Sequence, residues 1–267
     1  MTVDMVKEGR YLDGKHAVVT GGSRGIGAAV AASLAKRGAR LTLMGRSLDA
    51  LEKHAVVLKR DCGAEVQAVQ CDVTDDQGVR AAFGRARAAF GPVDVLVNNA
   101  GAAEAAPFSG ISRALWDRML AVNLTGTFMC TSEVLPAMLQ MRNGRIVNVA
   151  SMAALRGYKT MTAYSAAKHG VLGLTRSLAL ETARHGVTVN AVCPGYTDTD
   201  LTDTGVANLV RALGNTPDEA LAMLVRTIPR GKLIEPDEVA SAVTWLCSPG
   251  AAAVTGIALP IAGGESV

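Results

Sequence analysis

Tyr164 and Lys168 stand four residues apart in Thr162-Ala163-Tyr164-Ser165-Ala166-Ala167-Lys168-His169-Gly170-Val171, a stretch that reads as helix. Side chains at i and i+4 share a helix face, so a phenol and an ammonium can enter one site there. A free tyrosine has a pKa of roughly 10 and is a poor acid or base near neutrality. A lysine cation beside it favours the phenolate and brings that pKa toward the working range. The same spacing also suits a core tyrosine beside a solvated lysine, so the rest of the chain has to decide. Two further polar groups invite attention. Ser151 ends the apolar run that begins at Gly144, and Asn123 falls inside a long helical pattern where a buried amide needs partners.

The elements that would position these groups begin with His16-Ala17-Val18-Val19-Thr20, a short apolar run of the buried parallel-strand kind. It leads into Gly21-Gly22-Ser23-Arg24-Gly25-Ile26-Gly27 and then a helical segment from Ala28 to Arg37. Glycines at 21, 25 and 27 permit a tight turn, let a pyrophosphate approach the backbone and let the helix pack close to the strand. The helix N-terminus offers free N–H groups to phosphate. A second strand, Arg40 to Ser47, ends in Gly45-Arg46-Ser47. An acid near that position would accept ribose hydroxyls, whereas an arginine favours the 2′-phosphate of NADP. Arg46, with Arg24 as a second positive group, therefore points to NADPH/NADP, with NADH as the alternative.

Further strands are expected at Glu65 to Cys71, Pro92 to Val97, Gly144 to Ser151, Val187 to Cys193 and Ile257 to Ile261. Helices are expected at Ser47–Arg60, Asp75–Phe90, Arg113–Met141, Ala163–His185 and Pro236–Leu246. Asp72-Val73 follows the third strand, where the carboxylate can accept from an adenine amino group or cap the helix near Thr74-Asp75. Asn98-Asn99-Ala100-Gly101 follows the fourth and can let a ligand lie against the backbone, or be an ordinary turn. The stretch from Tyr196 to Lys232 reads as irregular, a substrate lid of about 196–232, with a helical piece from Pro217 to Arg226. Strand and helix alternate without linker or repeat. The expectation is a polar lead-in (1–13) and one α/β domain (14–267), a doubly wound, parallel, seven-stranded Rossmann-type sheet with helices on both faces.

Composition narrows the function classes. A net charge of +3 with no basic run argues against nucleic acid as a partner. Five scattered cysteines without a C-x-x-C pair argue against a disulfide framework or a zinc site and fit a reducing cytoplasm. The four histidines show no metal-ligand spacing and read as structural or solvent-facing. The uncharged run from Val239 to Gly264 is broken by Ser248-Pro249-Gly250, Gly256 and Pro260, so it reads as helix, turn and strand rather than a membrane span.

Taken together, Thr20-Gly21-x-x-x-Gly25-x-Gly27, Asp72, Asn98-Asn99-Ala100-Gly101, Asn123, Ser151, Tyr164-x-x-x-Lys168 and Pro194-Gly195-x-x-x-Thr199 resemble the short-chain dehydrogenase/reductase family over about residues 14 to 264. The resemblance implies that Tyr164 protonates a carbonyl oxygen and that Lys168 tunes it and holds the nicotinamide ribose. It also implies that Ser151 hydrogen-bonds the substrate oxygen and that Asn123 holds a water for proton resupply. Thr197 and Thr199 would lie near the nicotinamide or phosphate. Within the family the chain looks most like reductases of 3-oxoacyl thioesters and aromatic polyketide ketoreductases, judged from Gly186–Gly195 and Pro249–Thr255. That likeness implies a small carbonyl or alcohol substrate, free or linked to coenzyme A or a carrier protein, and a homotetramer. Pocket candidates are Ala103–Phe108, Met152, Arg156, Tyr158, Met161 and Tyr196, with Arg156 and Lys159 able to meet a pantetheine phosphate or to be exposed loop charges. Two alternatives remain. One is an alcohol, 3-hydroxyacyl or hydroxysteroid dehydrogenase, and the other a cofactor-binding sensor without catalysis.

Overall fold

The apolar runs read from the sequence lie side by side. In the computed structural model, which describes residues 9–265, the strands are β1 (His16–Thr20), β2 (Arg40–Gly45), β3 (Val66–Gln70), β4 (Val95–Asn98), β5 (Gly144–Val149), β6 (Val187–Pro194) and β7 (Ala258–Ile261). They form one sheet in the order β3-β2-β1-β4-β5-β6-β7, and every pair is parallel. β1 and β6 are buried at every position, which explains why they are apolar without alternation. Helices cover both faces. α1 (Gly25–Lys36), α2 (Leu48–Cys62) and α9 (Pro236–Leu246) pack Leu34, Leu51 and Val243 on one side. α3 (Asp76–Phe90), α5 (Gly126–Met141) and α6 (Thr162–Thr182) pack Phe83, Val134 and Leu178 on the other. The expected doubly wound sheet is present. Its strand order reverses between β1 and β4, which opens a crevice at their C-terminal ends.

Three local expectations are corrected. The helix expected over Arg113–Met141 is α4 (Arg113–Leu120), a π-helical turn (Ala121–Thr125) and α5. Side chains competing for backbone groups account for the wide turn: Asn123 Nδ2 donates to Met119 O (3.0 Å), and Thr127 Oγ1 donates to Asn123 O (2.9 Å). The lid is not mostly irregular. It opens with α7 (Asp200–Leu213), whose first turn carries Asp200 and Asp203 at the favourable end of the helix dipole, and continues with α8 (Pro217–Val225). Capping differs too. Asp72 does not cap α3, because the N-cap is Asp75. In the lead-in, residues 1–8 lie outside the described residues; Leu12 is in the core and Tyr11 Oη donates to Thr244 O (3.1 Å).

His16 is a structural histidine. It is fully buried, with its ring nitrogens 3.0 Å from Gly91 O and 2.9 Å from Thr42 Oγ1, and burial lowers its pKa. No helix among the described residues is long and apolar enough to cross a membrane.

Candidate active site

The crevice is lined first by backbone. Gly21 has φ +65°, and a Cβ there would lie 2.8 Å from Asn99 Nδ2 and 3.2 Å from Ala100 Cα. A Cβ on Gly27 would fall 2.1 Å from Gly21 O, so only glycine lets α1 close on the loop. Asn99 Nδ2 donates to Thr20 O (3.0 Å) and Gly21 O (3.1 Å), while Thr20 Oγ1 accepts from the N–H groups of Asn99 and Ala100 (3.0 Å each). The Asn99 amide thus ties the glycine loop to the end of β4. Arg24 is the N-cap of α1 and makes no side-chain capping bond, which leaves the first N–H groups, around Gly25, Ile26 and Gly27, without a side-chain acceptor. A glycine cradle below an uncapped helix N-terminus fits a dinucleotide pyrophosphate. Ser23 forms the outer part of that turn. Across it, Thr199 Cγ2 lies 3.1 Å from where a Gly25 Cβ would be.

Charged groups mark the outer end. Arg46, past β2, and Asp72, past β3, are both exposed and near enough for the arginine to help depress the Asp72 carboxyl, whose main cause of lowering is the Thr74 N–H. Asp72 Oδ1 accepts from Thr74 N (2.9 Å) and Thr74 Oγ1 (2.8 Å). Val73 is buried against Gly126. Arg24, the second positive group considered for the phosphate, has a partner in the lid. It forms a 2.5 Å ion pair with Asp200 in the first turn of α7, joining glycine loop to lid.

The reacting centre is buried. Ser151 follows β5, and its Oγ accepts from Ala153 N (3.1 Å). Tyr164 and Lys168 are 8% and 5% exposed on the same face of α6, with Lys168 Nζ 5.7 Å from the Tyr164 ring centroid. Burial raises the Tyr164 pKa; a hydrogen bond with Ser151 pulls the other way. Lys168 Nζ donates to Val149 O (2.9 Å), and burial pulls its ammonium down to about 8. Cys193, which the sequence reading passed over, adjoins this group; burial pushes its thiol up to about 11, so it stays neutral. Asn123 is committed to backbone. Its Nδ2 donates to Ala102 O (2.8 Å) as well as Met119 O, and its Oδ1 accepts from Ala102 N (3.3 Å). That clamp sets Gly101 beside the ammonium, where an added Cβ would be 3.7 Å from Lys168 Nζ.

Of the residues expected to line the pocket, Met152 is buried in a cluster with Ala150 and Cys193. Met161 is the N-cap of α6 and partly exposed. Arg156 pairs with Glu265, and Tyr158 Oη donates to the same carboxylate oxygen (2.6 Å). Tyr196 lies close enough to Glu265 for that charge to help burial raise its phenol. Pro194 ends β6, Gly195 N donates to Ile261 O (3.1 Å), and Thr197 Oγ1 donates to Gly195 O (3.1 Å). Glu265 escaped the sequence reading. Its one signal there is position, as the first charge after the uncharged run that ends at Gly264. Also missed was a buried polar chain: Asn98 Nδ2 donates to Asn148 Oδ1 (2.9 Å), and Asn148 Nδ2 to Thr175 Oγ1 (2.9 Å), locking β4, β5 and α6 in register beneath the site.

A dinucleotide cradle at the switch point, with a half-buried serine and a buried tyrosine and lysine beside it, defines a nicotinamide-cofactor oxidoreductase by class. The chain belongs to the short-chain dehydrogenase family, whose model matches residues 15–209. Among its relatives, the D-threitol dehydrogenase of Mycolicibacterium smegmatis is 40% identical, covering 96% of this chain and 94% of its own. The 3-oxoacyl-(acyl-carrier-protein) reductase FabG of Vibrio cholerae is 39% identical, covering 95% and 98%. A solved structure of the actinorhodin polyketide ketoreductase with NADPH, in a single-substitution variant of that enzyme, superposes with a TM-score of 0.91 at 39% identity, covering 94% of this chain and 97% of that one.

Proposed function

We propose that this chain reduces a ketone to a secondary alcohol with NADPH, and that its substrate is a 3-oxoacyl thioester or a polyketide-like carbonyl. The observation that carries the reading is the buried Tyr164 phenol, hydrogen-bonded to Ser151 on the helix face it shares with Lys168. NADPH, when bound, supplies the hydride that reaches the carbonyl carbon. Tyr164 gives its proton to the carbonyl oxygen, and burial keeps the phenol in the protonated form an acid needs. Ser151 donates a hydrogen bond to that oxygen as negative charge gathers on it. Lys168, at about 8, still carries its proton at neutral pH and stabilises the phenolate left behind. Asn123 keeps the Gly101–Ala102 backbone against Lys168 and holds the water through which the proton is resupplied. Gly21, Gly25, Gly27 and the N-terminus of α1 hold the pyrophosphate; Arg46 takes the 2′-phosphate, and Thr197 and Thr199 border the nicotinamide.

The kinship with D-threitol dehydrogenase supports a second reading, the same chemistry run as alcohol oxidation. One experiment separates the two. Purified protein is given acetoacetyl-CoA and a ketone panel with NADPH, and an alcohol and polyol panel with NADP or NAD, while reduced-cofactor absorbance is followed. Turnover of acetoacetyl-CoA well above that of any alcohol is expected; turnover of polyols alone would replace the first reading by the second. We also infer a cytoplasmic homotetramer. Exposed Phe128 on α5 and Leu180 on α6, at 55% and 83%, favour helix-to-helix contact between copies, and free cysteines suit a reducing compartment.

A further inference from the structure

Among the described residues, Thr160 is the β-branched one that holds a positive φ, +66°. Arg142, the other non-glycine case, is unbranched and closes α5, where left-handed backbone is common. Thr160 instead stands in a tight turn. Met161 N donates to Tyr158 O (3.1 Å), and Lys159 is not left-handed, so Thr160 is the third residue of a type II turn. Glycine or asparagine is normal at that position, because a branched Cβ crowds the backbone there. The turn aims the Thr160 carbonyl at a neighbouring segment: Thr160 O accepts from Ala106 N (2.8 Å). Ala106 belongs to the loop that follows β4, and this loop is tied along its length. Asn123 clamps the Ala102 backbone, Glu104 pairs with Arg118 on α4, and Thr160 holds Ala106. Both ends of the loop adjoin the reacting groups. A Cβ on Gly101 would lie 3.7 Å from Lys168 Nζ, while Ala102 and Ala106 pack against a cluster that contains Ala163, the residue before Tyr164. The turn itself leads into α6, where Ser165 N donates to Met161 O (2.7 Å).

We propose that Thr160 is a positioning residue, whose strained backbone latches the loop after β4 onto the entry to α6 and so fixes the wall of the site beside Tyr164. The proposal rests on the reading that a carbonyl substrate is reduced at Tyr164. Strain of this kind persists where the surrounding contacts impose it, and here the contact is the Ala106 N–H. The backbone carries the effect, so the threonine side chain is dispensable as long as its replacement accepts positive φ. Tyr164 and Lys168 are held separately, by burial of their helix face and, for Lys168, by Val149 O. Releasing the latch therefore loosens the binding of the ketone more than it slows the chemical step.

The same hydrogen bond can be removed from either side. Thr160→Pro cannot reach positive φ and loses the turn, whereas Ala106→Pro removes the N–H donor. Thr160→Gly and Thr160→Asn keep the left-handed turn. Amide hydrogen exchange of the loop after β4, followed by mass spectrometry on the NADP-loaded protein, tests the latch without turnover. Exchange there should be at least about tenfold faster in Thr160→Pro and near the wild-type rate in the glycine and asparagine variants. With acetoacetyl-CoA and NADPH, each proline variant should raise KM about tenfold and leave kcat within about twofold, while glycine and asparagine restore the wild-type KM. The double proline variant should lose no more than either single one, since both break one contact. Unchanged exchange in Thr160→Pro, additive losses in the double variant, or a Thr160→Gly variant as impaired as the proline one would overturn the proposal. Absence of ketone turnover in the wild type, with the exchange pattern as expected, would count against the proposed reaction alone.

Discussion

The two ends of the cofactor crevice are built on opposite principles. At the reacting end, Ser151, Tyr164 and Lys168 are enclosed, and each polar group is answered by the fold: Lys168 by Val149 O, the Tyr164 phenol by Ser151, and the Asn123 amide by Ala102 and Met119. At the outer end, Arg46 and Asp72 stand in solvent, and Arg24 is held by an exposed ion pair with Asp200. Burial makes the first set reactive, since it moves the lysine to about 8 and keeps the phenol protonated. Exposure leaves the second set free to rearrange around a phosphate and gives it little stabilising weight. On the proposed function, packing tunes the reacting groups at one end, and exposed charge meets the cofactor's phosphate at the other.

That contrast sets the expected size of each perturbation. Lys168→Met should reduce turnover by about 10²–10⁴-fold. Its melting temperature at pH 6.5 should nonetheless equal or exceed that of the wild type. The reason lies in linkage: the folded pKa is below the ordinary lysine value, so the cation is disfavoured in the folded state, and its full penalty is present below about 8. A clear drop in melting temperature would break the account of Lys168 as a buried, costly cation. The pH profile of kcat/KM for NADPH should fall above about 8, as the same ammonium loses its proton; a profile that stays flat well into the alkaline range would contradict it. At the outer end, Arg46→Asp should weaken NADPH relative to NADH by about 1–3 kcal/mol, read as the ratio of the two kcat/KM values. No movement of that ratio would remove Arg46 as the discriminator. Smallest of all, Arg24→Ala should change unfolding stability by under about 1 kcal/mol, because its ion pair is exposed on both sides. A larger loss by denaturant titration would mean that the outer end is as tightly organised as the inner one.

What could be read from the sequence follows the same division. The strand runs, the glycine loop and the i,i+4 placing of Tyr164 and Lys168 are local patterns, and they appear in the structure where periodicity puts them. The π turn at Asn123 was not legible, since it depends on which backbone carbonyl an amide and a threonine hydroxyl win. Asp200 falls at the start of the stretch that reads as an irregular lid, yet it begins α7 and reaches Arg24, which lies 176 positions away in the chain. Glu265 was missed for a similar reason. Its meaning comes from Arg156 and Tyr158, over a hundred positions earlier, and nothing in the spacing announces that meeting. Even the direction of the Tyr164 shift needed the structure, because pairing with a lysine and burial act oppositely on a phenol, and only the packing says which is larger.

The account stands or falls on Tyr164 as the proton donor. Tyr164→Phe removes one oxygen from a residue whose ring is already packed, so fold and cofactor cradle should persist. Measured side by side on the wild type and the variant, ketone turnover with NADPH should drop at least about 10³-fold, while NADPH binding by fluorescence stays within about twofold. Turnover near the wild-type rate in the phenylalanine variant would show that the proton comes from elsewhere.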